Sequence, residues 1–211
     1  MFGNRFYNET MRKYTAVFGT LFNDIQISRL DNSGNEIQKM TVPVNYAPMQ
    51  KILARLERDQ DLKGPAITLP RMSFEIVNFT YDNSRQLSKT NAIAAIANTT
   101  SARKKFYTPV PYNINFQLNI YAKSQDDALQ IVEQIIPFFN PQYALTIKPF
   151  PNDYPELKED IPIIIQGLSF NDDFEGQMET RRTITYAIDF EMKVNFYGPI
   201  TQPEIIRRAD A

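Results

Sequence analysis

The sequence predicts an α+β domain, a mainly antiparallel twisted sheet with about three helices packed on it and a long projecting loop or hairpin arm. Three observations carry that expectation. Two long segments alternate apolar and polar residues with a period of two, one through Tyr112, Ile114, Phe116, Leu118 and Ile120, the other through Ile184, Tyr186, Ile188, Phe190, Met192, Val194 and Phe196. Each reads as a strand with one wet face. Three shorter segments place apolar residues at three- and four-residue spacing, as one face of a helix does. A stretch from Asp82 to Thr108 follows neither rule.

In chain order, the first element is an amphipathic helix from about Glu9 to Leu21, with Met11, Tyr14, Val17, Phe18 and Leu21 on one face. Ile25 and Ile27, then Ile37, Met40, Val42 and Val44, flank Asp31-Asn32-Ser33-Gly34-Asn35. Those turn residues tolerate positive φ, so a hairpin is expected. Pro48 opens a second helix through Ile52, Leu53 and Leu56, because proline fits a helix's first turn, and Gly64-Pro65 ends it. From Ile67 to Tyr81 the apolar phase runs through Met72, Phe74 and Ile76, then slips to Val77, Phe79 and Tyr81. One extra residue, a bulge, accounts for the slip. Polar residues around Ala92-Ile93-Ala94-Ala95-Ile96-Ala97 form the projecting arm, crossing between two paired strands.

After the first long strand, Ser124 and Asp127 resemble a shortened capping box, and Leu129, Val132, Ile135, Ile136 and Phe139 define a helical stripe. Pro137 and Pro141 stop that helix. Beyond a proline-rich connection from Lys148 to Pro155, Ile161, Ile163 and Ile165 alternate, and Leu168 and Phe170 resume in the other phase after Gly167. A second bulge is expected there. The polar residues Asn113, Asn115, Gln117 and Asn119, and Thr183, Thr185, Asp189 and Glu191, lie out of phase with the apolar series and are expected outside the core. The whole reads as one domain over residues 1–200 with a short C-terminal tail, 201–211, and no internal repeat.

Composition narrows the chemistry. The 211 residues are 43% hydrophobic and 22% charged, ordinary globular usage. No apolar run reaches the ~20 residues that cross a bilayer, and the first residues, MFGNRFYNET, lack the regions of a signal peptide. Cysteine and histidine are both absent. That removes thiolate nucleophiles, disulfides, the commonest general base and the commonest metal ligand. With only seven glycines there is no G-x-x-x-x-G-K-[ST], G-x-G-x-x-G or G-x-S-x-G. No cofactor is expected.

The remaining candidates for chemistry each have a plainer explanation. Asn171-Asp172-Asp173-Phe174-Glu175 offers hard oxygen ligands but not EF-hand spacing, and a solvated turn suffices. Asp126-Asp127 sits in the first turn of a helix, where acids complement the macrodipole. Asp189 and Glu191 lie on a polar strand face. Arg103-Lys104-Lys105 beside Phe106-Tyr107 has the composition of a single-strand nucleic-acid groove, yet a net charge of −1 disfavours nucleic acid as main partner. The distribution of charge says more than its sum. Residues 82–108 carry Arg85, Lys89, Arg103, Lys104 and Lys105 against Asp82, while residues 150–179 carry eight acids against Lys158. Such patches on adjacent subunits of a head-to-tail ring steer and register assembly; two solvated loops would look the same. The expected subunit interface is therefore Arg103, Lys104 and Lys105 against Asp172, Asp173 and Glu175.

Several segments together resemble the tail sheath stabiliser, or tail terminator, proteins of T-even-type contractile-tailed bacteriophages. They are Met1-Phe2-Gly3 with Phe6-Tyr7-Asn8, Leu69-Pro70-Arg71, Asp126-Asp127, Gln130-Ile131-Val132-Glu133-Gln134-Ile135-Ile136-Pro137-Phe138-Phe139, and Arg181-Arg182. The likeness spans roughly residues 1–200; better-known members carry a longer C-terminal extension. It implies a non-enzymatic virion protein, a hexameric ring at the head-proximal end of the tail. Implied partners are further copies of itself, the tail sheath protein, the tail tube terminator and neck or connector proteins; the composition itself points to no membrane and no specific nucleic acid. It implies location at the tail-neck junction after assembly in the host cytoplasm, and a sheet edge that receives a strand from the sheath. Another ring of the same machine, such as the tail tube terminator or a neck protein, is the alternative, and a single-strand nucleic-acid binder a more distant one. Elemental analysis of the purified protein is expected to find no stoichiometric transition metal; one bound equivalent would overturn the reading of the composition.

Overall fold

The computed structural model describes residues 5–30, 36–58, 68–96, 103–171 and 183–201. Helices α1 (Thr10–Thr20), α2 (Met49–Arg58) and α3 (Gln125–Ile135) stand with ten strands, β1 (Gln26–Leu30), β2 (Glu36–Thr41), β3 (Val44–Tyr46), β4 (Arg71–Tyr81), β5 (Ala92–Ile96), β6 (Arg103–Tyr107), β7 (Val110–Ala122), β8 (Gln142–Ile147), β9 (Glu159–Asn171) and β10 (Ile184–Phe196). The main sheet has the order β3-β4-β7-β10-β9-β8, antiparallel except for the β3–β4 pair. Two hairpins, β1–β2 and β5–β6, stand apart from it. The α+β architecture is the expected one.

Both long strands bury most of the apolar series the alternation marks, with Tyr112 and Phe196 only half-buried at its ends, and both bulges occur. The β4–β7 register shifts between Ile76 and Asn78. The β9–β10 register shifts opposite Gly167 and Ile165, one residue from the predicted position. The turn at residues 31–35, Gly64-Pro65, Met1-Phe2-Gly3 and Arg181-Arg182 lie outside the described residues. Two short strands escape the sequence reading. β3 has three residues between Pro43 and Pro48, and β8 alternates only Tyr143, Leu145 and Ile147.

The core lies on one face of the sheet. Phe18 of α1 is fully buried, stacked on Phe116 with ring centroids 4.2 Å apart and 5.4 Å from both Phe74 and Phe190. Gly19 permits this approach, because a Cβ there would sit 2.7 Å from Cζ of Phe74. The buried stripe of α3 is Ala128, Ile131, Val132 and Ile135, whereas Leu129 and Ile136 are each 43% exposed. The expected stripe mixed two faces of the same helix. Nor is Ser124 a side-chain cap; Asp127 turns instead to Arg29, 3.0 Å away.

The opposite sheet face is drier than alternation suggests. Asn119 and Thr185 are buried, with Ser73 and Tyr121 alongside sharing a 3.1 Å hydrogen bond between hydroxyls. Lost solvation pushes the Tyr121 phenol up to about 12. Helix α2 begins on this face, where the Met49 N–H donates to Glu75 at 2.9 Å. Farther along the strands the expectation of a polar face holds: Gln117 donates to Asp189 and Gln166 to Glu191 across the ladder, all outside the core. Removing the ring at the centre of the core, Phe18→Ala, should cost about 3–5 kcal/mol, read as a lowered urea midpoint with unchanged slope. Leu129→Ala, on the exposed flank of α3, should stay within about 0.5 kcal/mol of the parent.

Candidate assembly interface

The arm is a hairpin with an anchored root. Asp82 accepts from Ser84 and from Arg85 Nε at 2.7 Å, and Arg85 also donates to the Tyr112 carbonyl and to Asn113. Those donated bonds, Arg85 first, hold the Asp82 carboxyl well below the usual carboxylate range. At the other strand of the arm, Phe106 is fully buried among Phe150, Tyr154 and Tyr197. Lys105 exchanges two 2.8 Å backbone hydrogen bonds with Thr201. The arm therefore packs along one side against the connection after β8 and the segment after β10.

The six residues singled out for the interface divide sharply. Lys104 is only 8% exposed and its Nζ lies 2.7 Å from Asp153 of the same chain. Lys105 is half-buried, its ammonium 4.9 Å over the Tyr107 ring. Arg103 opens β6 opposite Ile96. Asp172, Asp173 and Glu175 lie outside the described residues, directly after β9 ends at Asn171. The acidic run thus splits, since Asp153 already meets the arm within the chain. Nothing in the sequence marked Asp153 as that partner; it is one acid in a proline-rich connection.

Strand geometry sets the two charged ends far apart. Asn171 pairs with Thr185 near one end of β10, while the arm leads into β7 at Val110, opposite Phe196 at the other end. At ~3.3 Å per residue these points are ~35 Å apart. The ladder that separates them keeps Lys105, bonded to Thr201, away from the end of β9 within one chain.

The sheet edges also differ. β3 is three residues long, but β8 offers six, Gln142 to Ile147, with no charge, proline or glycine among them. Edges are normally blunted by such residues. Elsewhere the two glutamines of the long helix motif latch a different backbone: Gln130 brackets Ser28 with bonds of 3.1 and 3.0 Å, and Gln134 donates to the Gln26 carbonyl at 2.7 Å. They stand in for a neighbouring strand along β1. Of the acids weighed for chemistry, Asp126 accepts from Gln130 while Asp127 pairs with Arg29, so they form no catalytic pair. No cluster of three metal-ligating side chains occurs among the described residues.

The described residues form an α+β domain with a hairpin arm and two sheet edges. A family described as T4-like virus Myoviridae tail sheath stabiliser matches residues 5–211. The tail completion protein gp15 of Enterobacteria phage T4 is 31% identical over 211 residues, covering 97% of this chain and 76% of that protein. The chain belongs to the T4-like tail sheath stabiliser family and is a structural component of a phage tail.

At the root of the arm, Glu159 accepts hydrogen bonds from Asn195 and Tyr197. Burial, outweighing those bonds, raises its pKa. An acid raised on folding favours the folded state below its unfolded value, ~4.3, and that contribution is lost as pH rises through the folded value. Glu159→Gln should therefore melt higher than the parent at neutral pH, with the difference shrinking as pH falls through that region in thermal scans.

Proposed function

We propose that six copies of this chain close a head-to-tail ring at the head-proximal end of a contractile tail, ending the tail, holding the extended sheath and joining the tail to the neck. Membership of the sheath stabiliser family supports the setting. The observation that carries the ring is that the basic arm and the end of β9, from which the acidic residues follow in sequence, lie at opposite ends of the same long strands. That polarity suits a heterologous contact, in which one surface meets a different surface on the next copy. Arg103 and Lys105 face Asp172, Asp173 and Glu175 of the neighbour, while Lys104 keeps the arm in position through Asp153.

The sheath meets the ring along the open edge of β8, where an extended segment adds as a further strand through backbone hydrogen bonds. The other edge, β3, is too short to hold one. A nucleic-acid reading loses its footing here, because Phe106, which would stack on a base, is fully buried and Lys104 is paired.

Native mass spectrometry of the purified chain, and imaging of completed tails, test the ring. Arg103→Glu combined with Lys105→Glu should weaken ring or tail assembly without unfolding the subunit, and added salt should weaken the parent's assembly in the same direction by screening. Normal, salt-insensitive assembly of the double variant would sink the charge contact.

A further inference from the structure

Between the C-terminal ends of α1 and α3 the structure holds an open groove of about 570 Å³. Its walls are mostly apolar: Leu21, Phe22, Ile25, Pro137, Phe138 and Tyr143. Phe138 is 67% exposed, the largest such value among the exposed apolar side chains. Two carboxylates, Asp24 and Glu133, complete the lining, and no lysine or arginine joins them among the described residues. Tyr143 belongs to β8, so the groove adjoins the start of the open sheet edge.

A surface of this kind selects an apolar segment followed by positive charge. Ile205-Ile206-Arg207-Arg208, outside the described residues, puts two adjacent apolar residues before two cations. Two β-branched side chains supply apolar volume, and two guanidinium groups follow that pair well with carboxylates. Glu204 and Asp210 flank the four residues, so a shifted register would bring acids to Asp24 and Glu133.

We propose that this groove receives the C-terminal segment of a second copy, with Ile205 and Ile206 against Phe22, Phe138 and Tyr143 and Arg207 and Arg208 facing Asp24 and Glu133. The choice of a neighbour over the same chain rests on the ring reading. Ile205 to Arg208 lie four to seven residues past Thr201, which is tied to the arm, a reach of at most ~14–25 Å. Each subunit then gives one segment and accepts one, which closes a cyclic assembly without leaving a groove empty.

Because the chain has no cysteine, disulfide trapping reads this contact without background. Full-length Ile206→Cys and Phe138→Cys proteins are mixed and oxidised, with Thr80→Cys as a distant exposed control. The expected result is a mixed dimer of the first two in several-fold excess over pairs involving the control. Asp24→Arg with Glu133→Arg in the acceptor should lower the yield, and Arg207→Glu with Arg208→Glu in the donor should restore it. A yield no higher than the control overturns the proposal. So does a predominantly intramolecular bridge at high dilution in a chain carrying both cysteines, which assigns the groove to its own tail. In completed tails, trapping of Phe138→Cys by a cysteine-bearing sheath protein in place of Ile206→Cys would also overturn it. Native mass of the parent separates the two readings: a ring without the cross-link defeats this contact alone, and the cross-link without a ring defeats the ring.

Discussion

The close approach of α1 to the sheet governs the rest of the molecule. Phe18 enters a cage of Phe74, Phe116 and Phe190, and the missing side chain at Gly19 lets the helix sit low enough for it to do so. Phe74 has no free side to retreat to, being also against Tyr46 at the β3 edge. From this seat α1 sends Tyr14 to the carbonyl of Asn195 and Phe22 to Phe190. Phe139 meets the same Phe190 ring from beyond α3. The groove between the two helix ends is a consequence, since each is positioned by an aromatic contact with one strand.

Features caused by one-sided burial were legible in the sequence. Helix α1 and the starts of α2 and α3 fall within a residue or two of the expected limits, while α3 ends at Ile135, short of the stripe's Phe139, and the expected end of α2 at Gly64-Pro65 lies outside the described residues. The bulges appear where apolar phase slips, because a slip of phase is what a bulge does to a pleated strand. Burial from a second side was not legible. Asn119 and Thr185 look like solvent-facing positions in alternation, yet both are buried, because alternation cannot report what else covers that face. β3 and β8 failed for lack of length, each too short to show a convincing period between its flanking prolines or lysine.

Charge was legible as two opposed runs, but not in its commitments. Sequence treats Lys104 as one of three equivalent cations, while the fold buries it against Asp153 and leaves Lys105 beside a tyrosine ring. A pairing across 49 residues leaves no local trace. Conversely, the helix motif from Gln130 to Phe139 proves to have three tasks at once. Ile131, Val132 and Ile135 pack the core, the glutamines latch β1, and Glu133, Pro137 and Phe138 line the groove.

The separation of the arm from the end of β9 along β7, β9 and β10 also bears on force. If neighbours grip a subunit at those two places, tension runs parallel to the strands. The ladder between β7 and β10, thirteen paired residues long, is then loaded in shear, and its hydrogen bonds resist together instead of peeling one after another. A subunit gripped in this way acts as a stiff tie between its neighbours, suited to a component that must not yield while the machine beside it changes length.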